Sequence, residues 1–163
     1  MAKNKEEKTN VMRVLEQKKI AYTAHTYPHE EGVAVDGVTV AQSMGFDPAI
    51  VFKTLVARGA SKQYYVFDVP VAENLDLKKA AKAVGEKSIE MIHQKELLPL
   101  TGYVHGGCSP VGMKKLFPTV IDASAENLET MIVSAGKIGY QVELAPHDLA
   151  ALVRAKFADI IVE

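Results

Sequence analysis

The first residue that could do chemistry is Lys53, the single charge in the apolar stretch VFKTL. Such a run predicts a buried β-strand, and lysine is rarely buried unless it is paired or functional. In a structural interpretation, the aliphatic stem packs on the sheet and the ammonium reaches water. In a functional one, the cation projects into a pocket, where it would stabilise an oxyanion, hold a phosphate or carboxylate, or act as a base with a lowered pKa. The next residue, Thr54, points to the opposite face of a regular strand, so it shares that pocket only if the strand has a bulge.

The second candidate is GYVHGGCSPVGMKK, from Gly102 to Lys115, which holds four glycines and the only cysteine of the chain. Glycine weakens a strand because it adds no side chain to pack and loses the most backbone entropy on folding. The segment therefore predicts either a bend or bulge in a sheet, or a backbone that lies close to a ligand. Composition does not decide between the two.

Cys108, in the same segment, is a candidate nucleophile with His105 as its base. Residues three apart on a strand point to opposite faces, so pairing them requires the glycines to turn the chain. The spacing favours a cysteine that packs as a small buried hydrophobe.

A histidine-rich and acidic stretch near the N-terminus raises the question of a metal site; it contains His25, His29, Glu30 and Glu31. Pro28 interrupts any helix that would align these side chains, and histidines beside acids in a loop are typical of solvated surface. The pattern favours no metal site, and no cofactor is expected.

A second glycine-rich segment, SAGKIG, begins at Ser134 and contains Gly136 and Gly139. Its position between two β-like runs is typical of a hairpin turn. Neither glycine segment shows the P-loop or the Rossmann pattern, which argues against nucleotide binding of those kinds.

The elements that must position these residues alternate between helix and strand. Thr9, Thr39 and Asp76 are predicted to begin helices, Gly45 and Gly85 to end two of them, and Pro146 to start the last. The predicted strands are AYTAHTY, IVFKTLVARG, YYVFDVP, SIEMI, GYVHGG, TVIDAS, TMIVSAG, YQVELA and DIIV, with HQKELL as a further helix. Hairpins mixed with helices predict an α+β fold with a mixed, largely antiparallel sheet.

Composition limits the classes of function. The length of 163 residues and the 48% hydrophobic content predict a single domain, residues 1–163, with a real core. A net charge of −1 argues against strong non-specific nucleic-acid binding and predicts no DNA partner, although a local patch could hold a few phosphates. One cysteine, no apolar run of membrane-spanning length and no signal-peptide pattern predict a cytoplasmic protein without a membrane partner.

Taken in order, VFKTL, the proline that ends its hairpin partner, LDLKKAAKAVG, GYVHGGCSPVGMKK and SAGKIGYQVELAPHDL resemble the YbaK-type Cys-tRNA(Pro) deacylases. These are free-standing relatives of the editing domain of bacterial prolyl-tRNA synthetase, and the resemblance covers nearly the whole chain. It implies a sheet curled into a partial barrel with helices around it. It also implies removal of mischarged cysteine from tRNA(Pro), with prolyl-tRNA synthetase as a partner.

The resemblance also implies roles for individual residues. Lys53 would contact the 3′-terminal region of the tRNA, while Tyr27, Gly106, Gly107 and Ser134 would line the aminoacyl pocket. The substrate-binding set that we expect is completed by Thr54, Ser109 and Gly136.

The resemblance implies that the substrate's own thiol is the nucleophile and that backbone N–H groups of the glycine loop stabilise the oxyanion. The expected catalytic residues are therefore Lys53, Gly106 and Gly107. Two alternatives stay open: an editing domain for another aminoacyl-tRNA, such as Ala-tRNA(Pro), and a binding module that holds an aminoacyl or nucleotide ligand without turnover.

Overall fold

The structure is a computed structural model, and it describes residues 8–30 and 33–163. In these ranges the α-helices are α1 (Asn10–Gln17), α2 (Gly37–Ser43), α3 (Leu77–Val84), α4 (Gln94–Thr101) and α5 (Pro146–Val153). The strands are β1 (Thr23–Thr26), β2 (Phe52–Gly59), β3 (Tyr64–Pro70), β4 (Ile89–Met91), β5 (Thr119–Asp122), β6 (Met131–Lys137), β7 (Tyr140–Leu144) and β8 (Lys156–Ala158). None of the helices in the described ranges is long and apolar enough to cross a membrane.

The strands form two sheets, and the predicted α+β class is confirmed. The smaller sheet has the order β1-β7-β6 and is antiparallel throughout. The larger has the order β4-β2-β3-β5-β8, with antiparallel pairs at β4-β2 and β2-β3 and parallel pairs at β3-β5 and β5-β8. The sequence predicted one curled sheet, whereas the chain builds two, and the partial barrel stays a prediction.

The two sheets meet at one isolated parallel bridge, between Val51 and Ile132. Beyond that bridge, β2 and β6 form no further ladder in the described ranges. On the same edge of β2, strand β4 pairs only with Ala57, Arg58 and Gly59. The first half of β2 is therefore an open sheet edge that faces the smaller sheet.

Helix α3 forms where its capping residues predict it. The Asp76 carboxylate accepts from the backbone N–H groups of Lys78 and Lys79, and Gly85 ends the helix at a φ of 75°. The predicted start of α2 at Thr39 is wrong, because Asp36 is the N-cap and accepts from the Thr39 N–H at 3.2 Å. The carboxylate three residues upstream satisfies one of the free N–H groups at the helix start, so the N-cap lies three residues earlier than predicted.

Two predicted strands are not formed. GYVHGG is a loop in which the Gly107 N–H donates to the Val104 carbonyl at 3.0 Å, so its backbone bonds locally instead of to a strand. The last strand is Lys156–Ala158, whereas DIIV contributes only an isolated bridge between Ile161 and Leu75. In DIIV, Ile160 is fully buried and its N–H donates to the Asp122 side chain. That bond ties the segment to the end of β5 outside a ladder.

Candidate active site

A cavity of about 350 Å³ lies at the open edge of β2, between the two sheets. Its wall on the larger sheet is formed by four consecutive residues of β2, and Ser134 and Gln141 form its wall on the smaller sheet. These four residues lie along a strand edge that has no pairing partner. A ligand in the cavity can therefore contact their backbone and the side chains on both faces of the strand. The remaining lining residues are Tyr27, Ala34, Val35, Asp36, Gly37, Val40, Val71, Leu97, His105, Gly106 and Cys108.

Lys53 lines the cavity as a half-buried cation. No acceptor lies within hydrogen-bonding distance of its ammonium among the described residues. Burial lowers the pKa of Lys53, and the negative charges of Asp36 and Glu73 partly offset that effect. An ammonium without a partner at a cavity wall can bind an anion or stabilise a developing oxyanion.

Thr54 lines the same cavity, although the alternation of a regular strand predicted that it would not. The pairing of β2 with β3 is regular here, with Lys53 opposite Val69 and Thr54 opposite Asp68. Thr54 and Lys53 therefore line the same cavity because the edge of β2 is free there, and not because the strand has a bulge. The Thr54 hydroxyl donates to Asp68 Oδ1 at 2.6 Å.

Asp68 is completely buried, and its Oδ2 atom has no hydrogen-bond partner among the described residues. Burial raises the pKa of this carboxyl from its ordinary value of 3.8 to about 7, against the opposing effect of the hydrogen bond from Thr54. The carboxyl therefore changes charge near neutral pH.

Ser134 and Gln141 are cross-strand partners on the smaller sheet, and both are buried. Ser134 Oγ accepts from the Gly136 N–H at 3.1 Å, within the irregular part of β6 that separates Ser134 from Lys137. Gln141 Oε1 is buried without a hydrogen-bond partner in the described ranges. This wall therefore offers a hydroxyl and an amide to a ligand.

Tyr27 and Gly106 close one side of the cavity. Tyr27 is buried, and its backbone N–H donates to the Gly139 carbonyl at 3.0 Å, which fixes it beside the β6-β7 turn. Gly106 has a φ of 89°, and a Cβ atom there would lie 2.7 Å from the Cβ of Ala34. Only glycine fits this backbone and this close approach. The structure thus brings five residues of the expected site to one cavity: Tyr27, Lys53, Thr54, Gly106 and Ser134.

Gly107, Ser109 and Gly136 belong to the expected site but do not line the cavity. A Cβ atom on Gly107 would lie 3.2 Å from the backbone nitrogen of Ile138, so the residue marks a close approach of two chain segments. Ser109 is fully buried, and its hydroxyl accepts from the Val111 N–H at 3.2 Å. Gly136 has a φ of 93°, and a Cβ there would lie 2.9 Å from the Tyr103 ring. The structure therefore does not place these three positions in direct contact with the cavity.

Cys108 lines the cavity but is not activated as a nucleophile. Burial raises the pKa of its thiol to about 12, and the nearby carboxyl of Asp68 adds to the effect. The thiol is therefore protonated at neutral pH, whereas a nucleophilic cysteine needs its thiolate. His105 also lines the cavity but lies in an exposed position. Cys108 packs with Val56, Val66 and other apolar side chains, as predicted.

The histidine and acidic stretch near the N-terminus divides between separate contacts. His25 Nε2 lies 2.8 Å from Glu143 Oε1, and His29 Nδ1 lies 3.0 Å from the Tyr27 carbonyl oxygen. Glu31 lies outside the described residues. Within the described ranges no group of three or more histidine, cysteine or acidic side chains could hold a metal ion.

Sequence reasoning missed Asp36, Asp68 and Gln141. Asp68 carries the same signal as Lys53, because it is the single charge in the apolar strand YYVFDVP. Its pairing with Thr54 depends on the hairpin register, which the sequence pattern alone did not supply. Asp36 and Gln141 stand in ordinary polar contexts, a loop and an alternating strand, and give no signal of their own.

Residues 32–152 match the family model described as "Aminoacyl-tRNA editing domain". A protein of Enterococcus faecalis, named "Putative Cys-tRNA(Pro)/Cys-tRNA(Cys) deacylase EbsC", is 45% identical over 161 residues, which cover 98% of this chain and 98% of that protein.

Solved structures share the fold. The chain is 26% identical, with a TM-score of 0.79 over 94% of its length and 95% of the other chain, to one titled "Crystal structure of a putative trans-editing enzyme for prolyl tRNA synthetase". It superimposes with a TM-score of 0.82, at 19% identity, on hypothetical protein APE2540, over 93% of this chain and 99% of that one. The second likeness concerns the fold alone.

Proposed function

The chain belongs to the aminoacyl-tRNA editing domain family, and on that premise we propose that it is a trans-editing deacylase that removes cysteine from mischarged Cys-tRNA(Pro). One observation carries the proposal. The matched residues, 32–152, include every residue that lines the cavity between the sheets except Tyr27. The cavity is thus built almost wholly from the editing domain, and two of its polar groups, the Lys53 ammonium and Gln141 Oε1, have no hydrogen-bond partner among the described residues.

The size of the cavity suits this substrate. At about 350 Å³ it lies at the small end of the range of ligand pockets, in keeping with a small aminoacyl group at the end of a large tRNA. A synthetase pocket discriminates ligands that differ by about one methylene by only ~1–3 kcal/mol. Cysteine and proline are close in size, so hydrolysis of the wrong ester at a second site restores accuracy.

The expected roles divide between the two walls of the cavity. The Lys53 ammonium, which has no acceptor of its own in the described ranges, binds the anionic 3′-terminal region of the tRNA or the developing oxyanion. Tyr27, Gly106 and Ser134 surround the aminoacyl group, and Thr54 contacts it from β2. Gly107 supports Gly106 by its packing against the β6-β7 turn, in place of a direct contact with the ester.

The chemical step uses the thiol of the substrate. Its thiol loses its proton as the sulfur bonds to the carbonyl carbon of the same aminoacyl ester, and the C–O bond to the ribose breaks. The ribose oxygen takes a proton and leaves as a hydroxyl, and the cysteine departs as a cyclic thioester, which water then hydrolyses. Holding the sulfur beside the carbonyl carbon provides much of the rate, because effective molarities for well-oriented groups are very large. The Cys108 thiol, with its raised pKa, does not take part.

The substrate is an aminoacyl-tRNA, and we expect prolyl-tRNA synthetase to be a protein partner in the cytoplasm. A net charge of −1 provides little general attraction for tRNA, so affinity borrowed from a bound synthetase would compensate. We also expect the two sheets, bridged at Val51 and Ile132, to correspond to the partial barrel that the resemblance implies.

Deacylation of a panel of purified aminoacyl-tRNAs tests the proposal. Cys-tRNA(Pro), Ala-tRNA(Pro), Ser-tRNA(Pro) and correctly charged Pro-tRNA(Pro) are incubated with the protein, and the loss of ester is followed against buffer alone. The proposal predicts fast loss of cysteine and slow loss of the other three. Preferred loss of alanine would assign the chain to a different editing target, and binding without loss of any ester would make it a binding module.

A further inference from the structure

The pair formed by Thr54 and Asp68 has a geometry that the proposed function does not yet use. The two residues are directly opposite each other in the β2-β3 ladder, and the Thr54 hydroxyl donates to Asp68 Oδ1 at 2.6 Å. Thr54 is partly exposed and lines the cavity, whereas Asp68 is completely buried behind it. Among the described residues, the Thr54 hydroxyl is the hydrogen-bond partner that links Asp68 to the cavity.

Stability alone gives no reason to keep this pair. A buried carboxyl with one hydrogen bond and an unpartnered second oxygen is costly compared with an apolar side chain of similar size. The rest of the strand is apolar at its buried positions, so an apolar residue would fit the surrounding core. A buried, poorly satisfied acid at the back of a cavity is typical of a functional group.

Few charged or titratable groups surround Asp68 in the described part of the chain. From β2 it faces Thr54, and the charge of Lys53 interacts with Asp36 and Glu73 instead. From the loop that follows α4 it faces Cys108, whose thiol stays protonated at neutral pH, and its partner on β5 is the apolar Ile121. Burial therefore dominates the raised pKa of the Asp68 carboxyl, which titrates at about 7.

We propose that Asp68 is a positioning residue that acts through Thr54: it fixes the Thr54 hydroxyl as an acceptor toward the substrate and receives, through it, the proton that the substrate thiol loses. As the sulfur bonds to the carbonyl carbon, the thiol proton moves to the Thr54 oxygen and the original Thr54 proton moves to Asp68 Oδ1. The C–O bond breaks with its electron pair on the ribose oxygen, which takes a proton from solvent. Asp68 then returns its proton to solvent by the reverse path.

This inference rests on the proposed function, and the pH dependence of the reaction tests it. Single-turnover deacylation of Cys-tRNA(Pro) is measured between pH 5 and 8.5 for the wild type, Asp68→Asn, Thr54→Val and Thr54→Ser, with the uncatalysed loss subtracted. Asp68 must be ionised to accept the proton, so the wild-type rate should rise through an apparent pKa near 7. Asp68→Asn and Thr54→Val should each lower the limiting rate by about a hundredfold, while substrate affinity changes little.

Two features separate a proton path from a merely structural role. In Asp68→Asn the rise of the rate near pH 7 should disappear, and Thr54→Ser, which keeps the hydroxyl, should recover most of the loss seen in Thr54→Val. The double variant Asp68→Asn/Thr54→Val should be no slower than either single variant, because both interrupt one path. Melting temperatures of all variants check folding, and Thr54→Val tests the path even if Asp68→Asn fails to fold.

Other results would overturn the inference. An unchanged pH profile in Asp68→Asn, or equal rates for Thr54→Ser and Thr54→Val, would make the pair structural while leaving the proposed function intact. A wild type that does not release cysteine at any pH would instead refute the proposed function itself.

Discussion

The β2-β3 hairpin and the glycine-rich loop from Gly102 to Lys115 both border the cavity, but they differ in whether their polar groups have hydrogen-bond partners within the protein. In the hairpin, the Lys53 ammonium and Asp68 Oδ2 have no hydrogen-bond partner in the described part of the chain. In the loop, the Tyr103 hydroxyl donates to the Val111 carbonyl, and the Ser109 hydroxyl accepts from the Val111 N–H.

Polar groups that are satisfied within the protein hold its shape, whereas those left unsatisfied at a cavity are available to a ligand. We therefore expect residues of the hairpin to take part in the reaction and residues of the loop to maintain the shape of the cavity. Substitutions in the hairpin should change rate more than stability, and substitutions in the loop should change both together.

The largest effect is expected at Lys53. Lys53→Ala should lower deacylation of Cys-tRNA(Pro) by about a hundredfold or more, because the cation that opposes the developing negative charge is lost. Stability should fall by about 1 kcal/mol or less, since the ammonium has no partner in the described ranges and only the packing of the stem is lost. Rates and thermal melts of Lys53→Ala and of Lys18→Ala, an exposed lysine at the end of α1, measure the difference. Wild-type activity in Lys53→Ala would show that the assignment of the hairpin to the active site is wrong.

Gly107→Val should show the opposite behaviour. A Cβ atom there would lie 3.2 Å from the Ile138 nitrogen, so a larger side chain must push the loop away from the β6-β7 turn at a cost of about 1–3 kcal/mol. Rate and melting temperature should fall together, with Gly107→Ala between Gly107→Val and the wild type. A lost rate at an unchanged melting temperature would instead place the Gly107 backbone beside the ester.

Asp68→Asn should stabilise the protein at alkaline pH. The folded-state pKa of Asp68, about 7, lies above its ordinary value of 3.8, so the folded state binds more protons between these values and wild-type stability falls as pH rises through that window. The neutral amide has no charge to bury, so the variant should exceed the wild type by about 1–3 kcal/mol above pH 7. The gain should shrink below pH 5. Urea denaturation at pH 4.5 and 8 checks this, and a variant that is less stable at pH 8 would contradict the cost assigned to the buried charge.

The smallest effect is expected for Cys108→Ser. The thiol is buried with a pKa raised to about 12, so it does not serve as nucleophile and its replacement should keep most of the rate. Alkylation of the folded wild type should be slow for the same reason. Rapid inactivation by iodoacetamide, together with an inactive Cys108→Ser variant, would contradict this and would show that Cys108 is the nucleophile.

How much the sequence predicts differs between the same two regions. The hairpin follows from alternating β-rich runs around a turn and was predicted correctly. Lys53 stands out as a charge in an apolar run, and it lines the cavity. Strand alternation did not predict that Thr54 lies at the same cavity as Lys53, because its access depends on an open sheet edge that forms only when β2 and β6 stop pairing after Val51 and Ile132.

The loop was harder to predict. GYVHGG contains tyrosine and valine at strand-like spacing, but the Gly107 N–H bonds to Val104 and the hydroxyl of Tyr103 bonds to Val111, so local bonds replace a ladder. Which glycines touch the cavity depends on contacts with distant segments, such as Ala34 beside Gly106 and Ile138 beside Gly107. Those contacts join residues that are far apart in the chain, so the local sequence pattern does not indicate them.

The most direct test of the account compares two esters on one cysteine-free protein. In Cys108→Ser, the substrate supplies the only thiol, since the chain has a single cysteine. Single-turnover rates are measured for Cys-tRNA(Pro) and Ser-tRNA(Pro), which differ in the one atom proposed to attack the ester. The account predicts rapid release of cysteine and slow release of serine. Comparable rates for the two esters would contradict it, because they would require a nucleophile, such as an activated water, that the protein provides itself.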